Sequence, residues 1–429
     1  MLLIVPLAAR AQGLRVTNEL GLVSDYTNQL YYEQTFDSTI VTGRVSVADP
    51  RARLVAEAVT RVLGTSGALS LDAFNTFGAG PTVLRDAARA SGAARLNEAF
   101  KARLDGEIDV RRDDTFDTRR EDGRWSLGTS LAWASAERST AARAYARTEA
   151  LRSAEGSLAL FPDYDYRQLG VELDRFGLLG HAGLVYGYAV RAFPDTASRD
   201  YHEHTLAFDT RAALSDPLRL EVTAYAARRS AERDSAFGDR FASADVELGL
   251  VVRKGETFEF GPRVRAWGQS YDEPTPTFFD AWIWRWSLFG RWLPDEITKF
   301  ELRPEVEFLR TPDFGGLPDD ASEDDRKAVA NEEYDQLALA VEGERIAPKA
   351  WWSGTLAGGH RDYLDDGLDP SDLSARTSFW FVDLSAFGER RLSETLRLRA
   401  SGGVRSEFHR LDVDDTTSLD FALDLRVRL

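Results

Sequence analysis

From Leu419 to Leu429 the chain alternates strictly: Leu419, Phe421, Leu423, Leu425, Val427 and Leu429 fall on one side, and Asp420, Asp424, Arg426 and Arg428 on the other. An extended strand sends successive side chains to opposite faces, so this run carries an apolar stripe and a charged stripe. The same grammar recurs upstream. Between Leu96 and Val110, apolar Leu96, Phe100, Leu104, Ile108 and Val110 alternate with Arg95, Arg103, Asp105, Glu107, Asp109 and Arg111, which predicts one strand longer than the ~10 residues needed to cross a bilayer. Leu218 and Val222 alternate with Arg219 and Glu221, and Leu248 shares a face with Val246 and Leu250. Phe300, Leu302, Val306 and Phe308 alternate with Glu301, Arg303, Glu305 and Glu307. Pro304 interrupts the apolar side of that last run, and the ladder bond it removes predicts a bulge or bend there.

The connections predicted between strands are of two kinds. Ser215–Pro217, Lys254–Glu256, Pro294–Glu296, Ala347–Lys349 and Ser393–Glu394 read as tight turns, whereas Asp113–Gly123, Pro194–Asp200, Ser230–Asp239, Thr311–Glu333 and Tyr363–Ser374 are longer and polar. Through the second half of the chain the two kinds take turns, as the periplasmic turns and external loops of outer-membrane barrels do. The tally is about 20 strands, 18 to 22 being compatible with the pattern and an even number expected. Before Gly123, the Ala/Leu/Arg-rich stretches Arg51–Leu63 and Pro81–Ala94 suit helix as well as strand, and strand is favoured because Leu69, Leu71 and Ala73 alternate with Ser70 and Asp72.

Aromatic residues bear on which face meets what. Trp282, Trp284, Trp286 and Trp292 share one parity, and indoles favour the headgroup level of a membrane. The competing reading is a packed aromatic core in a soluble β protein. The mean hydropathy of −0.34 is compatible with a barrel, since only every second strand residue faces lipid.

Over nearly the whole chain from about Leu14, this alternation resembles the bacterial outer-membrane β-barrel class. The resemblance implies an all-β fold, a single closed antiparallel transmembrane barrel, in the outer membrane of a diderm bacterium. Members usually end on an aromatic residue that the insertion machinery reads, and here Leu429 stands in that place. Energy-coupled receptors of the class carry an N-terminal plug domain, and with strands beginning near Leu14 a porin-like channel is expected instead.

The remaining composition narrows the chemistry. A net charge of −17, with positive and negative residues interleaved throughout, excludes a nucleic-acid surface. Cysteine is absent, so there is no disulfide or thiolate site, and 48 of the 53 basic residues are arginine. Met1–Ala11 is an apolar run ending Ala9-Arg10-Ala11, which predicts a signal-peptide remnant followed by a barrel over residues 12–429.

Lumen-lining residues expected on the polar parity are Arg95, Arg103, Asp105, Glu107, Asp109, Arg111, Arg219, Glu221, Arg263, Arg265, Glu301, Arg303, Glu305, Glu307, Arg397, Arg399, Asp424 and Arg426. Lipid-facing residues expected on the other are Leu104, Ile108, Leu218, Val222, Leu248, Trp282, Trp284, Trp286, Phe300, Phe421, Leu423 and Leu425. Charges of both signs at close spacing either select solutes or neutralise one another across strands.

His202 and His204 share a strand face but lack a third and fourth ligand, so no metal is assigned. The acidic stretches Asp313–Asp325 and Asp362–Asp372 do not follow the spacing of a calcium loop. Asp200 with His202, or Asp412 with His409, offers a hydrolytic pair without a motif, so no catalytic residue, enzyme activity or cofactor is expected. The favoured function is passive, porin-like passage of small polar solutes through a barrel embedded in outer-membrane lipid. The alternatives are a non-conducting barrel binding a protein partner through its loops, and a soluble secreted β-rich binding protein.

Overall fold

The structure is a computed structural model that describes residues 15–30, 33–37, 40–44, 51–66, 68–80, 83–113, 120–154, 163–194, 200–231, 240–364, 377–409 and 415–428. Met1–Ala11, Asp412, Leu429 and most of the second acidic stretch lie outside these residues.

The first half of the chain forms β1 (Arg15–Leu30), a hairpin of β2 (Glu33–Asp37) and β3 (Ile40–Arg44), then β4 (Arg51–Ser66), β5 (Leu69–Ala79), β6 (Val83–Arg95), β7 (Phe100–Asp113), β8 (Arg120–Ala134), β9 (Thr140–Ser153), β10 (Tyr164–Gly177) and β11 (Gly180–Ala192). The second half forms β12 (Tyr201–Ser215), β13 (Leu218–Ala231), β14 (Phe241–Lys254), β15 (Phe258–Tyr271), β16 (Ala281–Asp295), β17 (Thr298–Arg310), the helix α1 (Glu323–Ala330), β18 (Tyr334–Ala347), β19 (Ala350–Tyr363), β20 (Phe379–Arg391), β21 (Leu396–His409) and β22 (Thr416–Arg428).

Apart from the β2–β3 hairpin, the strands make one 20-stranded antiparallel sheet in which each pairs with the next along the chain. β1 pairs with β4 on one side and with β22 on the other, Leu20 lying opposite both Ala58 and Val427, so the sheet closes. Closure removes both sheet edges, which is the condition for a sheet to stand in hydrocarbon. Arg51–Ser66 and Val83–Arg95 are strands, pairing along their length outweighing the helix preference of their alanines.

Connections of two to five residues gather at one end of the barrel, together with the first residues of β1 and the last of β22. The other end carries the longer ones, up to the 23 residues of 311–333, with 80–82 as the short exception. Gly180 shows why one tight turn needs its residue: its φ is +136°, and a Cβ there would sit 1.8 Å from the Arg211 carbonyl oxygen.

Burial tells the two faces apart. On β18, Gln336, Ala338 and Ala340 are buried, whereas the intervening Leu337 and Leu339 are 63% and 48% exposed. Side chains converge on the concave face of a closed sheet and splay on its convex face, so the buried row points inward and the leucines outward. Register carries this assignment around the whole barrel. Trp282, Trp284 and Trp286 lie on the convex face at 43%, 44% and 53% exposure, which rules out the packed aromatic core.

Two expectations are corrected. The alternation read from Leu96 to Val110 is not one strand: Arg95 ends β6, and Leu96–Ala99 form the turn into β7. There the Asn97 side-chain oxygen accepts from the Ala99 and Phe100 amides, an Asx turn that the hydrophobic pattern does not register. Pro304 makes no bulge either. The β16–β17 ladder lapses between Ser287–Glu305 and Gly290–Leu302 and resumes in the same register, and Pro304 stays paired in line with Leu339.

Candidate functional site

The concave wall is the candidate site. Every residue expected to line a lumen falls on it, and every residue expected to face lipid falls on the convex side. Arg95 reaches the concave face from β6, opposite Lys101, rather than from β7.

The short-turn half of this wall holds a continuous ion-pair network. Arg219 donates to Glu221 at 2.9 Å and approaches Glu259 at 3.9 Å. Arg291 joins Glu259 at 2.8 Å to Glu301 at 2.9 Å, and Arg303 extends the chain to Glu301, Glu305 and Glu342. Glu301 is 4% exposed, a burial that a carboxylate tolerates only when paired. Farther round, Arg397 and Arg399 share Glu389, while Arg426 holds Asp424 at 2.7 Å.

Other pairs lie higher or on neighbouring strands. Arg265 meets Asp245 at 2.5 Å and Arg263 meets Glu247 at 3.4 Å. Arg285 pairs with Glu307, whose other oxygen accepts from the Tyr334 hydroxyl at 2.7 Å. On the earlier strands Arg103 approaches Asp105 at 3.8 Å, Arg124 pairs with Glu107 at 3.0 Å, and Asp109 with Arg85 at 2.7 Å. Arg111 lies on the same concave row as Arg85, opposite it across β6–β7. Because the pairs cross strands or sit two residues apart on one face, they run round the wall as alternating charge.

Near the long-connection end the concave wall changes character. Arg191 lies 4.4 Å from the Tyr164 ring centre and 5.3 Å from that of Tyr166, and Arg229 lies 4.0 Å from Tyr201 and 4.7 Å from Phe241. Glu203 accepts from Arg229 at 2.9 Å. Across the barrel Arg361 stacks 3.9 Å from Tyr334 and donates to Gln336. Each pairing of guanidinium with ring face is a cation–π contact. Sequence reading missed this belt because its members come from ends of different strands; the signal available was aromatic residues concentrated at one end of β10, β12, β14, β15, β18, β19 and β20.

Of the two hydrolytic pairs, Asp200 and His202 do not assemble, and the other includes Asp412, outside the described residues. Asp200 accepts from the Phe193 amide at 2.7 Å, while His202 lies on the convex face. His409 meets the Thr377 hydroxyl at 2.8 Å, with its ring tilted against that of Phe379 at 4.6 Å. His181 bridges Asp174 and Asp209 at 3.1 Å each, a concave contact that no motif announced. In the 311–333 connection the acidic residues serve α1: Ser322 caps it by accepting from the Asp325 amide, and Glu323, Asp324 and Asp325 occupy its first turn. Among the described residues no three His, Asp or Glu side chains are grouped as a metal site.

The chain is similar in structure to the siderophore receptor PirA from Pseudomonas aeruginosa, with a TM-score of 0.52 and 11% identity over 96% of this chain and 80% of that one. It matches the ferric enterobactin receptor PfeA of the same organism at a TM-score of 0.56 and 9% identity, over 96% and 81%. The FrpB iron transporter from Neisseria meningitidis matches at 0.53 and 8%, over 98% and 82%. The fold is that of an outer-membrane β-barrel. No family model matches the chain, and no curated protein does so. These neighbours are described as receptors and a transporter of iron complexes rather than as porins, and at such identities the shared property is the barrel.

Proposed function

We propose that the chain is an outer-membrane channel of a diderm bacterium that passes small polar solutes passively through its charged interior. One observation carries this reading: a closed 20-stranded wall with ion pairs on the concave face and apolar side chains on the convex one. Twenty strands spaced ~4.8 Å apart and tilted ~40° give a round barrel roughly 40 Å across. Side chains extending about 5 Å from each wall leave roughly 30 Å between them, too wide for wall residues alone to fill. Alternating Arg, Asp and Glu around such a passage keep it wetted and set a transverse field that orients dipolar solutes. The lipid contact of the convex face belongs to the same proposal.

The test is single-channel conductance of the purified full chain in planar bilayers. Stable ohmic steps support the channel. A silent protein that is correctly inserted contradicts it and returns the closed, partner-binding barrel.

A second reading has its own observation. The arginine–aromatic belt at the long-connection mouth offers cationic and π-stacking contacts suited to a bulky anionic aromatic chelate, the kind of ligand present with PfeA. Saturable binding of ferric enterobactin, weakened by Arg191→Ala and Arg229→Ala, would favour a receptor; binding no different from that of a lumen variant such as Arg219→Ala would dismiss it.

A further inference from the structure

His202 and His204, singled out by their spacing, are absorbed by neither metal chemistry nor the lumen. They point outward. Register places Arg167, Val190 and His202 side by side across β10, β11 and β12, with Leu169, Tyr188, His204 and Arg228 forming the next row toward the bilayer centre across β10 to β13. The Tyr186 hydroxyl and His204 Nδ1 are 2.8 Å apart, and the Tyr188 ring lies 4.9 Å from that of His204.

This cluster sits at a defined depth. His202 is the second residue of β12 from its long-connection end, and Arg167 the fourth of β10. Immediately below, the convex face turns apolar with Leu169, Val171, Leu206 and Phe208, all exposed. An arginine on a barrel's lipid face costs ~2–4 kcal/mol at the midplane but ~0–1 at the interface, so this level is where it is tolerated.

Other arginines on the same face near this end are satisfied within the wall: Arg152 by Asp165, Arg310 by Asp335 and Arg228 by Asp272. Arg167 has no such carboxylate among the described residues, and it is exposed. Strands lie ~4.8 Å apart, so Arg167 and His202 stand ~10 Å from each other with Val190 between. The patch therefore presents guanidinium and imidazole donors above an apolar wall, with phenol rings beside them.

We infer that the convex patch around Arg167, His202 and His204 binds the phosphorylated headgroup of an outer-leaflet glycolipid, whose acyl chains lie along the apolar wall below. A planar guanidinium with free donors fits a phosphate bidentately, and imidazole N–H groups add further donors. The adjoining apolar surface distinguishes a phospholipid-like ligand from free phosphate, which would gain nothing from it.

The site rests on the reading of the convex face as lipid-exposed, and the test separates the two. Purified full chain in neutral detergent is titrated with bisphosphorylated lipid A, with the same lipid after phosphatase treatment, and with inorganic phosphate, and bound lipid is counted by native mass spectrometry. Loss of a charged hydrogen-bond pair corresponds to about tenfold weaker binding, the effect expected for Arg167→Ala/His202→Ala. Arg175→Ala, on the same strand and face but at the short-turn end, keeps full affinity. Arg167→Lys, which keeps the charge without the planar fork, falls between the wild type and the double variant. Equal retention of lipid A by the wild type and the double variant, or equal retention of its dephosphorylated form, overturns the site. A protein that stays monodisperse without detergent overturns the lipid-exposed face itself.

Discussion

Arg291 ties Glu301 to Glu259, donating at 2.9 Å to one and 2.8 Å to the other across three strands, while Glu301 is nearly sealed from solvent. Among the described residues, removing the cation leaves buried Glu301 only the longer 3.3 Å contact with Arg303, and buried Glu259 only Arg219 at 3.9 Å. Arg291→Leu should therefore destabilise the barrel by about 3 kcal/mol, whereas Arg291→Leu/Glu301→Leu should recover part of the loss because an uncompensated charge costs more than a missing pair. Urea midpoints of the folded barrel followed by tryptophan fluorescence check both; equal midpoints for the two variants would contradict the account.

The two faces of one strand give a direct contrast. Val222 is convex and its neighbour Thr223 concave, near the middle of β13. Val222→Arg should cost ~2–4 kcal/mol in a bilayer, as arginine does at a barrel midplane, while Thr223→Arg should be nearly neutral. Refolding yield into lipid vesicles, read by heat-modifiable electrophoretic mobility, reports the difference.

Much of this was legible from alternation alone. The parity of Leu419–Leu429 and of Phe300–Phe308 assigns each side chain its face, because a two-residue period admits no intermediate orientation. Leu96 deceived because an even-length turn preserved parity from Arg95 to Arg103. The arginine–aromatic belt stayed hidden for a different reason: Arg229 meets Tyr201 through register, and register depends on where each turn closes. Likewise the acidic run from Asp319 to Asp325 reads as solvated loop until Ser322 is seen to cap a helix within it.

Three arginines, Arg397, Arg399 and Arg426, pair with Glu389 and Asp424 on the concave face. Replacing all three by glutamine leaves that stretch of wall anionic. Under a tenfold KCl gradient, taken as an order-of-magnitude bias, the reversal potential should move toward that of potassium. An unchanged reversal potential would place these side chains away from the ion path.

Tyr145 lies over Gly170, where a Cβ would come within 2.3 Å of its ring. Gly170→Val should displace the ring from the β9–β10 wall and lower stability by roughly 1–3 kcal/mol, the usual cost of overpacking. Pairing it with Tyr145→Ala should restore most of the loss, measured on the same urea scale.

The central claim is that one side of every wall strand meets lipid and the other meets water. Since the chain has no cysteine, single cysteines can be placed at residues 336 to 341 of β18 and spin-labelled in vesicles. The account predicts that 337, 339 and 341 relax with dissolved oxygen and 336, 338 and 340 with a water-soluble nickel chelate. Accessibility to the two reagents that does not alternate along this strand would contradict it.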